Sequence, residues 1–311
     1  MMNSVWITGV QGFIGQNLLR YLHHQGYDVF GIGPGIWTEE EAELQGLRYF
    51  VNDEINPSNL DKLAGRSLAP DAVFHLAGGS SVGPSFNEPI HDYLSSVDST
   101  IQLLEWLRIN SSQTRVILAS SAAVYGVGHS GPIPEQARLR PYSPYGWHKA
   151  MAEMLCESYS ENFGIKSSVM RLFSVYGPGL QKQLIGDICR KLESNIEVLE
   201  LSGTGLELRD WIHIDDVVRL LAFIYERDGS RFEVFNGASG IGESIANVAK
   251  IVCRHWGENI PITFSGKIRK GDPERLVANV SRIYKNKFNV TIPLSEGLLE
   301  TVTWYKEKMG C

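Results

Sequence analysis

The sequence predicts an α/β fold, a parallel sheet with helices on both faces followed by a smaller C-terminal α/β lobe. Short apolar runs alternate with amphipathic segments through the first half of the chain, and after RLFSVYGPG that rhythm breaks into shorter, mixed segments. Alternation of this kind describes βαβ units feeding a parallel sheet. With 311 residues, 43% hydrophobic and 21% charged, the chain can build a substantial core in one large or two smaller domains.

In order, SVWIT reads as the first strand and QNLLRYLHHQ as its helix. The runs DVFGI, LRYFV and DAVFHLA are further strands, with NLDKLA helical between the last two. A helix is expected around DYLSSVDSTIQLLEWLRIN, before the strand RVILAS. In SPYGWHK, Ser143 is a good N-cap and Pro144 fits the first helical position, and the following MAEMLCESYSENF carries the helix to about Phe163. LIGDICRKL, IEVLEL, WIHIDDVVRLLAFIYE and FEVFNG follow. Beyond Gly240, ESIANVAKIVCRHW, PITF and SEGLLETVTWYKEKM make up the small lobe. No repeat or low-complexity tract interrupts the chain.

A net charge of −6 gives no global attraction to nucleic acid or to an anionic membrane, so an anionic ligand must be held by local groups. Cys156, Cys189, Cys253 and Cys311 are widely spaced with no C-x-x-C, which suggests neither a disulfide framework nor a zinc site. The N-terminal MMNSVWITG enters a strand pattern at once, and no stretch reaches about 18 uninterrupted apolar residues. A cytoplasmic protein is the expectation.

ITGVQGFIGQNLLRYL places Gly9, Gly12 and Gly15 at the end of the first strand and the start of its helix. Glycines there permit a tight turn and close backbone approach, while the helix N-terminus offers free N–H groups and a positive dipole end to a pyrophosphate. A Rossmann-type doubly wound sheet binding a nucleotide follows. About 20 residues on, such a site normally presents an acid to the adenine ribose. Here YDVFGIGPGIW ends in Gly33, Pro34 and Gly35, with no carboxylate and no obvious Arg for a 2′-phosphate. Weak discrimination between NAD and NADP is expected, and Gly33→Asp is expected to shift preference toward NAD. Glu54 and Ile55, after the third strand, either flank the adenine or simply form a turn.

Tyr145 and Lys149 stand at i,i+4 and share a helix face, where an ammonium near a phenol favours phenolate and moves a group with a pKa of roughly 10 toward a usable base. A chance surface pair is the alternative for these two residues alone. RVILASSAAVYG ends its strand in Ser120 and Ser121, placing a hydroxyl where the crevice should be.

Together ITGVQGFIG, FHLAG, SSAAVYG, SPYGWHK, RLFSVYGPG and RDWIHIDD resemble, in order and over nearly the whole chain, the extended short-chain dehydrogenase/reductase family of nucleotide-sugar epimerases, dehydratases and ketoreductases. The resemblance implies that Tyr145 is the acid/base, that Lys149 binds the nicotinamide ribose and lowers the tyrosine pKa, and that Ser121 hydrogen-bonds the reacting oxygen, with Ser120 the competing serine. It implies NAD as cofactor, with NADP open because Gly33 replaces the usual acid, held by Gly9, Gly12, Phe13, Ile14, Gly15, Glu54, Ile55, Leu76, Ala77, Gly78, Tyr145 and Lys149. A nucleotide-diphospho-sugar is the implied substrate. Its sugar pocket takes Ser81, Val82 and Ser85, its phosphate region Ser174, and its diphosphate Arg209 with Arg269 or Arg275, because a guanidinium fork suits phosphate. For each arginine the alternative is an ordinary salt bridge, Arg209 with Asp210 for instance. A dinucleotide-binding domain over residues 1–175, with 211–238 returning to it, and a substrate lobe over 176–210 and 239–311 are expected.

Several positions depart from the family pattern. Ser96 and Ser174 stand where Asn is usual, and Asn279 where Asp is usual. Ala122 and Ala123 follow Ser121, where sugar 4,6-dehydratases carry acids, so dehydration loses its acid catalyst. A 4-epimerase working through a transient 4-keto sugar is the leading expectation. A 4-ketoreductase or 4-dehydrogenase comes next, and a non-catalytic NAD(P)-binding scaffold is disfavoured by the intact Ser121, Tyr145 and Lys149. His213, Asp215 and Asp216 lack a third spaced ligand, so no metal is expected. Relatives pair the helices corresponding to residues 93–109 and 145–163 into a four-helix bundle. A homodimer is therefore expected, with Leu103, Leu104, Leu107, Met154 and Leu155 as surplus apolar residues.

Overall fold

The structure, a computed structural model, describes residues 4–67, 69–267 and 272–309. Its main sheet has seven strands in the spatial order Phe232–Gly237, Ser167–Leu172, Arg115–Ser121, Ala72–His75, Ser4–Thr8, Asp28–Ile32, Leu47–Val51. Ser4–Thr8 pairs in parallel with Asp28–Ile32 and Ala72–His75, which continue outward in parallel to Leu47–Val51 and Arg115–Ser121. The chain thus leaves the first strand to one side and returns to build the other. That reversal opens a crevice at the carboxyl ends of Ser4–Thr8 and Ala72–His75, where an open α/β sheet takes its ligand.

The chain divides into two compact units. The first gathers the described residues of Met1–Gly126, Arg138–Arg171 and Val218–Phe235, and the second those of Val127–Ala137, Leu172–Val217 and Asn236–Cys311. Helix packing buries the first strand completely, Val5, Trp6 and Ile7 having no exposed surface. Trp6, Leu60, Leu104, Trp106, Val116 and Cys156 belong to one core cluster of this unit. Leu103 and Leu107 belong to it as well, and with Leu104 they are fully buried. These three leucines are therefore spent inside the chain, against the expectation that they are surplus. In the second unit, Leu208–His213 pairs with Ser174–Tyr176, Gly242–Ser244 and Arg275–Leu276. Its core includes Tyr176, Ile188, Trp211, Val252, Trp256 and Val302.

The helix Pro144–Phe163 begins and ends as its sequence dictates. Ser143 Oγ accepts from Gly146 N at 3.1 Å, Pro144 takes the first turn, and Gly164 closes it in the left-handed region at φ +79°. The helix expected near residues 93–109 instead comes in three pieces, Pro89–Tyr93, a π-helical turn Leu94–Asp98 and Ser99–Asn110. Hydroxyls of Ser99 and Thr100 donate back to the carbonyls of Ser95 and Ser96 at 2.5 and 2.6 Å. Such back-bonding competes with the regular ladder, and a π turn is a common result near functional sites. No described helix is long and apolar enough to cross a membrane.

Candidate active site

Ser120 and Ser121 lie next to each other at the end of Arg115–Ser121 and have different partners. Ser120 Oγ donates to Glu153, which forms a buried ion pair with Arg171 at 2.6 Å. Ser121 lies close enough to Tyr145 to hold the phenol pKa down, and it accepts from Ala123 N at 3.1 Å. The competing serine is thereby committed to a structural network. Lys149 is buried, donates to the Ala119 carbonyl at 3.1 Å, and places its ammonium 5.9 Å from the Tyr145 ring centroid.

Electrostatics here differ from the expectation in one respect. Burial raises the Tyr145 pKa, the Ser121 hydrogen bond opposes that rise, and the Asp92 charge adds to it. Desolvation thus outweighs any help from Lys149, whose own pKa burial lowers to about 8, against the pull of Asp92 and Glu153. In the free protein Tyr145 is a phenol, and it needs an added positive charge to become a base.

At the cofactor end, Gly9 adopts φ +65°, and a Cβ there would lie 2.9 Å from Ala77 N. A Cβ on Gly15 would overlap the carbonyls of Gly9 and Val10. The helix Phe13–His24 starts from Gly12, which gives its first amides no side-chain cap. A close backbone cradle with uncapped N–H groups fits a dinucleotide pyrophosphate. Leu76 N and Ala77 N both donate to Thr8 Oγ1 at 3.1 Å, fixing the loop that leads to Gly78. Thr8, accepting twice, donates to His75 Nδ1 at 2.8 Å, and His75 Nε2 donates to Thr100 at 2.9 Å. The imidazole is neutral, because burial and Lys149 hold its pKa near 3.

Where the ribose acid is missing, two amide side chains organise the loop. Gln11 Oε1 accepts from Ile36 N at 2.7 Å and Trp37 N at 3.0 Å, while Asn52 bonds Gly35 N, Gly35 O and Trp37 O. Gly33 has φ +147°, and a Cβ would lie 3.1 Å from Gly9 N. The expected Gly33→Asp switch is therefore corrected, since the substitution strains the backbone that holds the glycine loop. Ile55 is a core residue, Glu54 is exposed, and the Glu54 carbonyl accepts from Asn59 as the chain enters Pro57–Ala64.

Of the three expected sugar-pocket residues, Ser81 precedes Val82–Asn87 and is half-buried, as is Val82. Ser85 is corrected. Only 1% exposed, its hydroxyl donates to Val82 O at 2.7 Å and accepts from Tyr145 N at 3.1 Å. It anchors the start of Pro144–Phe163 and has little surface left to offer a sugar.

The second unit contains a cavity of about 650 Å³ lined by Ser174, Arg190, Lys191, Glu207, Arg209 and Trp211, among others. Arg209 donates to Asp272 at 2.8 Å and to Pro273 O at 2.7 Å, so its ion-pair partner is Asp272. Asp210 instead accepts from Ser239, Gly240 and Ala278 amides. Trp211 Nε1 is buried without a hydrogen-bond partner among the described residues. Arg275 lies on its own short strand, with its buried Nε likewise unpartnered among the described residues. Arg269 lies outside the described residues.

His213 does gain a third neighbour, Glu300, 3.6 Å from its Nε2. His213 Nδ1 accepts from Asp215 N at 3.3 Å, which leaves the proton on Nε2 facing Glu300.

Residues 5–238 match the NAD dependent epimerase/dehydratase family. A UDP-glucose 4-epimerase of Azospirillum brasilense is 30% identical over 90% of this chain and 84% of its own. A solved UDP-N-acetylglucosamine 4-epimerase from Methanobrevibacter ruminantium M1, in complex with UDP-N-acetylmuramic acid, superposes with a TM-score of 0.89 at 26% identity over 99% of this chain and 100% of its own. A UDP-glucuronic acid 4-epimerase from Bacillus cereus, in complex with UDP-glucuronic acid and NAD, gives 0.87 at 27% identity over 98% and 99%. With a cradle shaped for a dinucleotide and the family match spanning most of its length, the chain belongs to the NAD dependent epimerase/dehydratase family.

Proposed function

We propose that this enzyme is an NAD-dependent 4-epimerase of a nucleotide-diphospho-sugar, working through a transient 4-keto sugar. The observation that carries the reading is the buried Tyr145 with the Lys149 ammonium 5.9 Å from its ring centroid and Ser121 close enough to oppose the rise of its pKa. The glycine cradle at Gly9, Gly12 and Gly15 would hold NAD, which supplies a hydride acceptor, and then donor, with a positive charge in its oxidised form. Tyr145 takes the proton of the C4 hydroxyl as the C4 hydride leaves, and gives it back when hydride returns to the opposite face of the ketone. Ser121 holds the C4 oxygen in line, and Lys149 favours the ionised tyrosine. The cavity around Arg209 and Trp211 takes the nucleotide diphosphate, with a guanidinium for phosphate and an unpartnered indole N–H. Ala122 and Ala123 form the turn after Ser121, so no carboxylate there can eliminate water.

A 4-ketoreductase is favoured by one observation, the carboxylate-free loop at Gly33 to Trp37, which does not repel a 2′-phosphate. Both readings are tested by incubating the enzyme with UDP-glucose, UDP-glucuronate and UDP-N-acetylglucosamine and following product by NMR and cofactor by absorbance. Epimerisation gives the C4 epimer with no net change at 340 nm. Stoichiometric formation of reduced cofactor from added NAD or NADP, with a 4-keto sugar and no epimer, overturns it in favour of the dehydrogenase or reductase.

A further inference from the structure

Beside Tyr145 and Lys149 lies a buried carboxylate–imidazole pair that the reaction as described leaves idle. Asp92 Oδ2 is 2.5 Å from Nδ1 of His148, with the two side chains 7% and 12% exposed. His148 stands on the catalytic helix between Tyr145 and Lys149. The other carboxylate oxygen, Oδ1, lies against Gly79, so closely that a Cβ there would overlap it while coming within 3.3 Å of Tyr145 Cδ2. Gly79 is itself held by its amide, which donates to Ser96 Oγ at 3.0 Å in the π turn. Asp92 is thus fixed at the flank of the tyrosine ring, and its charge raises the proton affinity of both Tyr145 and Lys149.

A lone carboxylate there opposes the ionised tyrosine that proton abstraction needs. Its effect depends on its partner, because an imidazolium cancels most of its field and a neutral imidazole does not. We propose that Asp92 and His148 are positioning residues that set the protonation of Tyr145, the pair being close to neutral when His148 is protonated and negative when it is not. This rests on Tyr145 being the acid/base of the proposed epimerase. On the short helix of Asp92 itself, His91 and the preceding Glu88 are exposed. Tyr93 meets the His148 ring edge-on at 5.7 Å, and the catalytic helix supplies Tyr145 and Lys149, with Glu153 acting on Lys149. Val82–Asn87 carries no titratable side chain, and the π turn Leu94–Asp98 carries only Asp98, which is half-buried.

The test is the pH profile of kcat/KM for Asp92→Asn and His148→Gln, each beside wild type. Asp92→Asn removes the opposing charge, so the acidic limb moves to lower pH. His148→Gln keeps a hydrogen-bond donor and leaves Asp92 uncompensated, so the limb moves to higher pH. One limb should move by about one pH unit, roughly tenfold in rate on the limb: His148→Gln to higher pH where the pair is neutral, or Asp92→Asn to lower pH where it is negative. A merely structural pair lowers both profiles without moving their limbs, and unmoved limbs in both variants, or a shift of the opposite sign in either, overturn the proposal. If one variant does not fold, the sign of the shift in the other decides. An ultraviolet titration of the Tyr145 phenolate, taken as the difference from Tyr145→Phe, reads the Asp92→Asn shift without turnover. Full turnover by Tyr145→Phe sinks the epimerase assignment, whereas an inactive Tyr145→Phe with unmoved limbs sinks only the role of the pair.

Discussion

Lys149 lies one helical turn beyond Tyr145, its ammonium 5.9 Å from the tyrosine ring centroid and tied to the Ala119 carbonyl. Both groups are buried, and burial drives their pKa values apart, the tyrosine up from its ordinary value and the lysine down to about 8. Each is therefore held closer to its neutral form than in water. A positive charge arriving nearby tips the balance, since it makes the phenolate easier to form and the ammonium easier to deprotonate.

Tyr145→Phe removes the ionisable oxygen and its bond to Ser121 while keeping the buried ring. Turnover should fall by about two to four orders of magnitude, the scale of lost general acid–base catalysis, with KM changed far less. Ser121→Ala should follow it, more mildly. Ser120→Ala should instead lower stability, because it breaks a bond to the buried Glu153–Arg171 pair. Initial rates and thermal melts of the three variants check the division. A large rate loss confined to Ser120→Ala reverses the assignment of the serines.

Burial of Lys149 makes the stability of the protein depend on pH in a definite direction. Below about pH 8 the folded and unfolded forms both carry the charge, and the fold bears its desolvation cost. Between about 8 and the unfolded value near 10.5 the unfolded chain binds the extra proton, so stability rises with pH. For this group alone the rise is on the order of 3 kcal/mol. Denaturant midpoints at pH 8 and 10 should show less of it in Lys149→Met, where the difference between variant and wild type cancels other titrations. Identical pH slopes in the two proteins argue against a depressed lysine.

Arg209→Ala should raise KM for the nucleotide sugar by roughly 10- to 100-fold, the scale of one or two charged hydrogen bonds, with kcat within a few-fold. Asp272, its partner, is half in water and tolerates the loss. Arg209→Lys should recover little, because a single ammonium cannot reproduce the fork. An unchanged KM in steady-state assays places the diphosphate elsewhere.

Gly33→Ala should destabilise the protein by about 1–3 kcal/mol, because φ +147° is a region L-residues rarely adopt and the new Cβ presses on Gly9. Gly33→Asp should weaken NAD and NADP together and not switch between them. Thermal melts and calorimetric titration of both cofactors measure this. A stable Gly33→Asp protein with a selective gain for NAD contradicts the strain.

Much of this was legible in the chain, for physical reasons that also explain the failures. Ser143 and Pro144 announce a helix start because capping is a local event, and the structure begins the helix at Pro144. Adjacent residues on a strand point to opposite faces, so Ser120 and Ser121 had to differ, although only the fold shows that Glu153 claims the first. The pairing of Asp92 with His148 joins residues 56 apart, and Glu300 reaches His213 from further still, so neither spacing carries a signal. The sequence shows that Lys149 stands near Tyr145 but neither that Asp92 does nor how much water is excluded, and burial turned out to set the sign of the shift. Ser85 and the leucines at 103, 104 and 107 failed likewise, since polar type or apolar surplus says nothing of which neighbours consume them.

A homodimer is expected from the face that Pro144–Phe163 leaves uncovered. Trp147, Met151 and Met154 recur at i, i+4 and i+7 on one side of Pro144–Phe163, with Met154 65% exposed. Ile90, Tyr93 and Leu94, on the neighbouring Pro89–Tyr93 helix and π turn, are exposed as well, and Tyr93 rests against His148. A cluster of this kind is more apolar than scattered surface residues and marks an interaction face. Two copies of such a face, related by a twofold axis, bury each other, the commonest way to make a dimer, and the helices then form a four-helix bundle. We expect a homodimer in solution, and a monomer for the double variant Met151→Glu, Met154→Glu, which puts two carboxylates from each copy into one apolar contact at a cost of several kcal/mol. Light scattering at micromolar concentration reads the mass of both proteins. A monomeric wild type removes the interface, and a dimeric double variant moves it to another face.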